Sequence, residues 1–534
     1  GTGSGDVDTS TRRKAEDGRV LGLTGRSLRL KPDWLKENKL FHVGKKPAYE
    51  LFPDELLPRL KRTRREKRDQ HIEQLKAKLR RRSQLLSSAK SGAKQAEKKD
   101  IDARIKVLES LASDEDLGPI YDCVVFRWNK KWWAVVDTDE DGDLRDEVAL
   151  TNYRDEQGYG TFGSESGMNF GVNIYDQGNL LSIVADTGNH GTHVAGIVGA
   201  YFPDQPDLNG VAPGVQIVSI KIGDTRIGGM ETTAGLIRGL IAAKRAGCDL
   251  INMSYGEPSR TPNYGRIPEH FADFVNKHGV IYISSAGNAG PALSTVGAPG
   301  ATLSAAIGVG AYISPAMMRS EYVLDGNLPE MPYTWTSRGP AYDGDMGVDI
   351  FAPGGAISPV PNWTQQRLLR MNGTSMASPN TCGSVALLIS GLKQLSVPYN
   401  VQSIRRALAN TARQVPDIEV FAQGPGLLQV DRAFEYLRDH ADATAERLEI
   451  RAMASGNRRG IYLRERRDTT KASSHLVKIK PIFPDDAKNA ERVDFELRLS
   501  MSTTADWVST GNTVLLTHGG QSFRVRVDTN DLEP

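Results

Sequence analysis

Scarcities narrow this chain first. Three cysteines in 534 residues, Cys123, Cys248 and Cys382, are too few and too scattered for a disulfide framework or a zinc site. A reducing, cytoplasmic setting is the expectation. No run approaches the ~20 apolar residues of a membrane span, and Gly1-Thr2-Gly3-Ser4-Gly5-Asp6 has no apolar signal stretch, so no membrane partner is expected. An initiator methionine is missing, and a segment before Gly1 is therefore expected. An excess of one charge is missing as well: 67 Lys+Arg against 65 Asp+Glu leave a net charge of +2, which projects no general field toward nucleic acid. Partners must be recognised locally.

What is present reads as folded protein, with 39% apolar and 25% charged residues and length for two or three domains. Residues 1 to about 55 carry only weak strand hints, at Val20-Leu21-Gly22-Leu23 and Phe41-His42-Val43. Leucine and isoleucine at 72, 75, 79 and 86, then at 101, 105, 108 and 111, predict a charged helical hairpin over about 56–113. Its first helix holds 12 Lys/Arg against 3 Asp/Glu over 59–82. Without interleaved aromatic residues this reads as a solvated face or an assembly contact rather than a nucleic-acid site. A β-hairpin is predicted at about 121–137.

From Leu180 the texture becomes α/β. Apolar runs at Leu180-Val184, Val215-Ile222, Leu250-Met253 and Val280-Ser284 alternate with helical patterns at His190–Tyr201, Thr232–Ala246 and Pro268–His278, as parallel strands with crossover helices do. Helices at Pro379–Gln394 and Val401–Thr411 continue that layer to about residue 440. Over 447–534 strands take over, at Gly460–Leu463, His475–Ile479, Val493–Leu499, Thr513–Leu516 and Phe523–Val527. They predict an all-β sandwich or jelly roll, expected to be cut short at Pro534.

Three segments carry chemistry. Ser375, in Gly373-Thr374-Ser375 ahead of a helix, has a nucleophile's position, because helix N-terminal N–H groups favour developing negative charge. A hydroxyl needs a base, and His190 opens a helix directly after an apolar run; His193, three residues on, reads as structural. Asn288, in the Gly287-Asn288-Ala289-Gly290 turn after a strand, can donate its amide to an oxyanion. Each signal alone is weak, but separations of 98 and 87 residues in the order His, Asn, Ser leave room for intervening βα units, so one sheet edge can present all three.

These segments resemble the subtilisin-like serine proteases, with Gly210-Val211-Ala212-Pro213-Gly214 and Asn252-Met253-Ser254-Tyr255-Gly256 adding to the match over about 180–437. The resemblance implies a subtilisin-like parallel sheet with helices on both faces, and makes Ser254, Tyr255 and Gly256 the edge that pairs with an extended substrate. Gly118-Pro119-Ile120-Tyr121-Asp122-Cys123, Val172-Asn173-Ile174-Tyr175-Asp176, Pro361-Asn362-Trp363-Thr364 and Gly460-Ile461-Tyr462-Leu463-Arg464 narrow it, being similar to the tripeptidyl peptidase II family. That family implies an insertion between catalytic Asp and His, covering 1–179 here, and a β-domain after the protease core. It implies oligopeptide substrates with a free N-terminus, a large homo-oligomer, and no cofactor. It also implies that Glu231 and Glu257 bind the substrate's α-ammonium. Three extended residues at ~3.3 Å each would place that ammonium roughly 10 Å from the scissile carbonyl.

A triad acid is the missing piece. Asp186-Thr187-Gly188 lies four residues before His190, in the same turn, and Asp137 follows Ala134-Val135-Val136 without the usual Gly; neither suits the role. The resemblance places the true acid just upstream of Gly3-Ser4-Gly5-Asp6-Val7, so these residues by themselves are expected to be nearly inactive. Asp137 to Asp143 has the oxygen spacing of a calcium loop, but Val148 stands where a bidentate Glu is needed, and no metal is expected. A general endopeptidase and a non-catalytic assembly piece are the alternative functions.

Overall fold

The computed structural model describes residues 2–87, 91–111, 115–223, 231–259, 261–326, 328–443, 448–483, 487–530 and 532. They group into two units: Gly1–Asn189 with Lys221–Glu231 and Pro361–Gln366, and His190–Ile220 with Thr232–Val360 and Arg367–Pro534.

In the first unit the strand Ile120–Trp128 is buried on both faces, because its residues alternate between two cores. Tyr121, Cys123 and Val125 join Val7, Leu181 and Ile183 in one, while Val124 and Phe126 join Trp34 and Phe41 in the other. Ile120–Trp128 turns back into Lys131–Val136 through Asn129 and Lys130, both at positive φ (51° and 64°), which matches the strand twist of a tight hairpin. Leu40–Pro47 and Thr11–Lys14 complete that sheet. The helices Leu57–Leu85 and Gly92–Leu111 pack as a hairpin that buries Ile72 and Ile101. Part of the basic stretch works internally: Arg59 donates to the carbonyls of Glu165, Ser166 and Trp363 at 3.0, 3.2 and 2.9 Å.

Two expectations fail here and in the adjoining segment. Leu180–Asp186 is a strand, but it runs antiparallel between Thr2–Asp8 and Asn169–Tyr175, with Leu181 opposite Val7 and Ile174, instead of joining a parallel core. An apolar run announces burial and leaves strand direction open. Val215–Ile222 forms no strand among the described residues, and Ile217 and Val218 each remain 48% exposed. β-Propensity yields a strand only where a neighbouring backbone supplies the ladder.

The second unit holds the parallel core. Leu250–Met253, Ile281–Ser285, Ile307–Ile313 and Ile350–Pro353 pair in parallel in that order, with Met331–Pro332 antiparallel beside Ile307–Ile313. The fully buried strand Ile307–Ile313 escaped the sequence reading because glycines interrupt it. A Cβ on Gly308 would come within 2.6 Å of the Gly347 carbonyl oxygen, and one on Gly310 within 2.8 Å of that of Ala422, so close backbone approach requires both. Helix Arg266–His278 sets Phe271 against Tyr282 of the sheet, ring centroids 5.0 Å apart. Helix Thr374–Gln394, the most buried of the unit, packs on all four parallel strands and also against helix His190–Gly199. The tight crossing depends on Gly383, whose Cβ would lie 2.6 Å from Cβ of Val211.

After residue 447 two antiparallel sheets face each other, Glu449–Ala454, Ser473–Ile482, Gln521–Val527 and Val508–Thr510 against Glu496–Ser500 and Thr513–Thr517. Ile479, Val514 and Leu516 fill the space between, which is a sandwich. The predicted strand Gly460–Leu463 is absent, and Val493 ends a short helix, Asn489–Val493. Gly460 is instead pressed onto Gly344, whose carbonyl oxygen a Cβ would meet at 2.1 Å, and Tyr462 OH lies 2.9 Å from the Ser294 hydroxyl. Loop packing claims that segment.

Candidate catalytic site

Pro379 shapes the start of the Ser375 helix. Helix Thr374–Gln394 begins before the proline rather than at it, and a proline has no N–H to offer the carbonyl four residues earlier. That carbonyl belongs to Ser375, and Ser254 Oγ donates to it instead at 2.8 Å. The residue beyond the Leu250–Met253 strand is thereby bonded to the backbone of the candidate nucleophile. The link extends deeper: Asn252 Nδ2 donates to Ser254 Oγ at 3.1 Å, and the buried Ser378 Oγ donates to Asn252 Oδ1 at 2.7 Å. Asn252 and Ser378 were missed as supporting residues. Their signal, a polar side chain within a strand and another in a buried helical turn, was in the sequence.

Among the described residues, Asn288 is gripped through its oxygen. Its Oδ1 accepts from Thr374 N and from Thr374 Oγ1, both at 2.9 Å, and Thr374 Oγ1 accepts in turn from Gly287 N at 3.1 Å. An N–H must meet an oxygen, so these bonds fix which end of the amide is which. Nδ2 is left toward the turn before Ser375, 3.5 Å from where a Cβ on Gly373 would stand. Asn288 is exposed, Ser375 partly so, and Thr374 buried. An amide donor is thus held near the turn that carries the Ser375 hydroxyl, and a donor of this kind can stabilise a tetrahedral oxyanion.

His190 heads the helix packed beside the Ser375 helix. Burial lowers its pKa below the ordinary imidazole value, with His193 adding to the effect, so the neutral form that can accept a proton prevails at pH 7. His193 is fully buried, and its Nε2 lies 2.8 Å from the Leu369 carbonyl oxygen; since a carbonyl only accepts, that nitrogen carries the hydrogen. Burial depresses His193 too, despite this bond.

A pH dependence of stability follows. With folded pKa values of His190 and His193 below their unfolded ones, the unfolded chain binds more protons across the window beneath about pH 6.5. Their contribution is complete above that window and is lost as pH falls toward the folded values. Urea midpoints should therefore drop between about pH 7.5 and about pH 5. His193→Gln, which keeps a donor for Leu369, should flatten the slope; an unchanged slope would count against this origin.

The other expected positions are divided between the two units. Ser254, Tyr255 and Gly256 lie between the Leu250–Met253 and Glu257–Pro258 strands, in neither ladder. Glu257 is exposed, in a short pairing with Gly297–Ala298, while the half-buried Glu231 bridges Gly223 in the first unit. Asp186 accepts from Lys221, and the buried Asp137 from Arg26 at 2.8 Å. The carboxylates of Asp137, Asp139 and Asp141 lie within 4.8 Å of one another, but the innermost is engaged by Arg26 and by Gly142 N. No helix among the described residues is long and apolar enough to cross a membrane.

Comparison with known proteins identifies the family. The model of the subtilase family matches residues 85–434, and that of the tripeptidyl-peptidase II first Ig-like domain matches residues 447–534. Tripeptidyl-peptidase 2 of Oryza sativa subsp. japonica is 45% identical over 548 residues, 99% of this chain and 40% of that protein. The tripeptidyl-peptidase 2 of Drosophila melanogaster is 38% identical over 556 residues, 100% of this chain and 38% of that protein. A crystal structure of tripeptidyl peptidase 2 superposes with a TM-score of 0.69 at 32% identity, covering 99% of this chain and 41% of that one. The chain spans about 40% of the length of such relatives.

Proposed function

Since the chain belongs to the subtilase family and is homologous to tripeptidyl-peptidase 2 along nearly its whole length, we propose that it forms the catalytic part of a serine exopeptidase. The enzyme would release tripeptides from free N-termini. His190 takes the Ser375 proton as Oγ attacks the scissile carbonyl, Asn288 Nδ2 holds the oxyanion, and the proton passes to the leaving amine as the acyl-enzyme forms. Water then attacks the ester, returning Ser375 and the peptide acid. The observation that supports this reading is the grip of Thr374 on Asn288 Oδ1, which leaves the amide nitrogen toward Gly373, two residues before Ser375.

Glu231 and Glu257 are proposed to bind the substrate ammonium. A charge-assisted bond of this kind contributes about 1.5–3 kcal/mol. In the full-length protein, acetylating the N-terminus of an oligopeptide should abolish release of its first three residues, and Glu257→Gln should raise KM for the free peptide about tenfold or more. An endopeptidase would be indifferent to both changes. The cytoplasmic setting and the large homo-oligomer are proposed on resemblance alone.

The acid that orients His190 is proposed to lie outside these residues, a reading supported by the cations already paired with Asp137 and Asp186. Loss of that carboxylate costs about 10⁴ in kcat where the same triad chemistry is known. The 534 residues should therefore hydrolyse a tripeptidyl amide about 10⁴-fold more slowly than the longer protein. Comparable rates would refute the assignment.

A further inference from the structure

Helix Pro315–Tyr322 follows the buried strand Ile307–Ile313, and Ser314 caps it by accepting from Met317 N at 3.1 Å. Its last turn carries Glu321, an acid only 8% exposed. A carboxylate taken out of water needs hydrogen-bond donors in exchange. Tyr333 supplies one, its hydroxyl donating to Oε2 at 2.8 Å. Burial, and then Glu321 itself, raise the Tyr333 pKa, which keeps that hydroxyl a donor.

The second donor comes from the strand that leads into the candidate nucleophile. Asn372 ends strand Leu368–Asn372, directly before the Gly373-Thr374-Ser375 turn. Its Nδ2 donates to Glu321 Oε2 at 3.2 Å and to the Met371 carbonyl at 3.0 Å, while its Oδ1 accepts from the Tyr322 hydroxyl. The reverse orientation would set the amide oxygen against acceptors alone, so the partners fix this one. The carboxylate also lies against Gly355, the residue opposite Asn372 in the ladder of Gly355–Pro359 with Leu368–Asn372; a Cβ there would overlap both Glu321 oxygens. One more bond closes the group, from Gly373 N to the Gly354 carbonyl at 2.8 Å.

We propose that Glu321 is a positioning residue for the Ser375 reaction, holding Asn372 and, through it, the turn that carries the hydroxyl. The turn then has an anchor on each side of Gly373: Asn372 is tied to Glu321, and Thr374 to Asn288. Glycine resists bending less than any other residue, so the two anchors decide where Ser375 stands. A displacement of about 1 Å at a reacting group can cost about 10² in rate. An apolar side chain would fill the space of Glu321. It could not accept from Asn372.

In the full-length protein, Glu321→Leu should slow fluorophosphonate labelling of Ser375 and lower kcat for tripeptide release, each by about 10- to 100-fold, with KM within about twofold of the parent. Glu321→Gln should recover most of the loss, because its oxygen accepts from Tyr333 and the Asn372 amide can turn over to accept from its nitrogen. That rescue separates positioning from packing, since Leu and Gln fill similar volumes. Should Glu321→Leu fail to fold, Asn372→Ala, at an exposed position, removes the same link and should give the same split between kcat and KM. Labelling within about twofold of the parent in the folded variant, or a Gln variant no faster than the Leu variant, would overturn the proposal. A parent protein that is not labelled at Ser375 would overturn the reading of the reaction on which this rests, and the proposal with it.

Discussion

Asn288→Asp in the full-length protein is expected to fold normally and to lose about 10²–10³ in kcat, the fall known for removing one oxyanion donor in subtilisin. The substitution is chosen for its selectivity. Aspartate keeps the oxygen that accepts from Thr374 N and Thr374 Oγ1, so the corner stays pinned, and replaces the N–H on the other side with a second, anionic oxygen that opposes the oxyanion, so the stated loss is a minimum. Asn288→Ala would break both functions and confuse catalysis with local structure. Since KM reports ground-state binding, it should move little, and the loss should appear equally in kcat and kcat/KM. A variant that retains kcat within about threefold would remove Asn288 from the mechanism.

The second large effect concerns the pair. Ser375→Ala and His190→Ala should each lower kcat by about 10⁶, and the double variant should be no slower than either, because base and nucleophile act as one unit. Ser375→Ala should also end labelling by a fluorophosphonate, whereas His190→Ala should slow labelling without moving it to another residue. Multiplying effects in the double variant would mean that the two act separately. Ser254→Ala provides a contrast: it leaves the Ser375 carbonyl without the bond that Pro379 already denies it, so a moderate fall in kcat with intact labelling is expected. Residual activity in all of these reflects the oxyanion corner and substrate binding, which need no proton transfer.

Much of the protease core was legible, for reasons that differ from element to element. The helix Val401–Thr411 was read to the residue, since Asn400 caps it through Gln402 N and Ser403 N and its apolar residues recur at helical spacing. The strand Ile281–Ser285 was clear because continuous burial needs continuous apolar sequence. The helix of Ser375 was placed five residues late, because Pro379 looks like a start signal while the turn before it is held by tertiary bonds from Ser254 and Asn288. The buried strand Ile307–Ile313 went unseen because what it needs is smallness, imposed by backbone passing on either side.

Sequence alone determined the reactive groups. An imidazole, an amide and a hydroxyl in that order point to the chemistry proposed, because nucleophilicity, basicity and hydrogen-bond donation belong to side-chain type. The same is true of helix periodicity, capping and the apolar content of central strands, which are local properties. Tertiary structure decided everything that depends on a partner. It set the antiparallel direction of Leu180–Asp186, left Val215–Ile222 without a ladder, turned Asn288 so that its oxygen meets Thr374, and brought Glu321 to Asn372 from a distant segment. Hydrogen bonds and charge pairs join residues remote in the chain, and a one-dimensional string does not record which of the possible partners the fold brings within 3 Å.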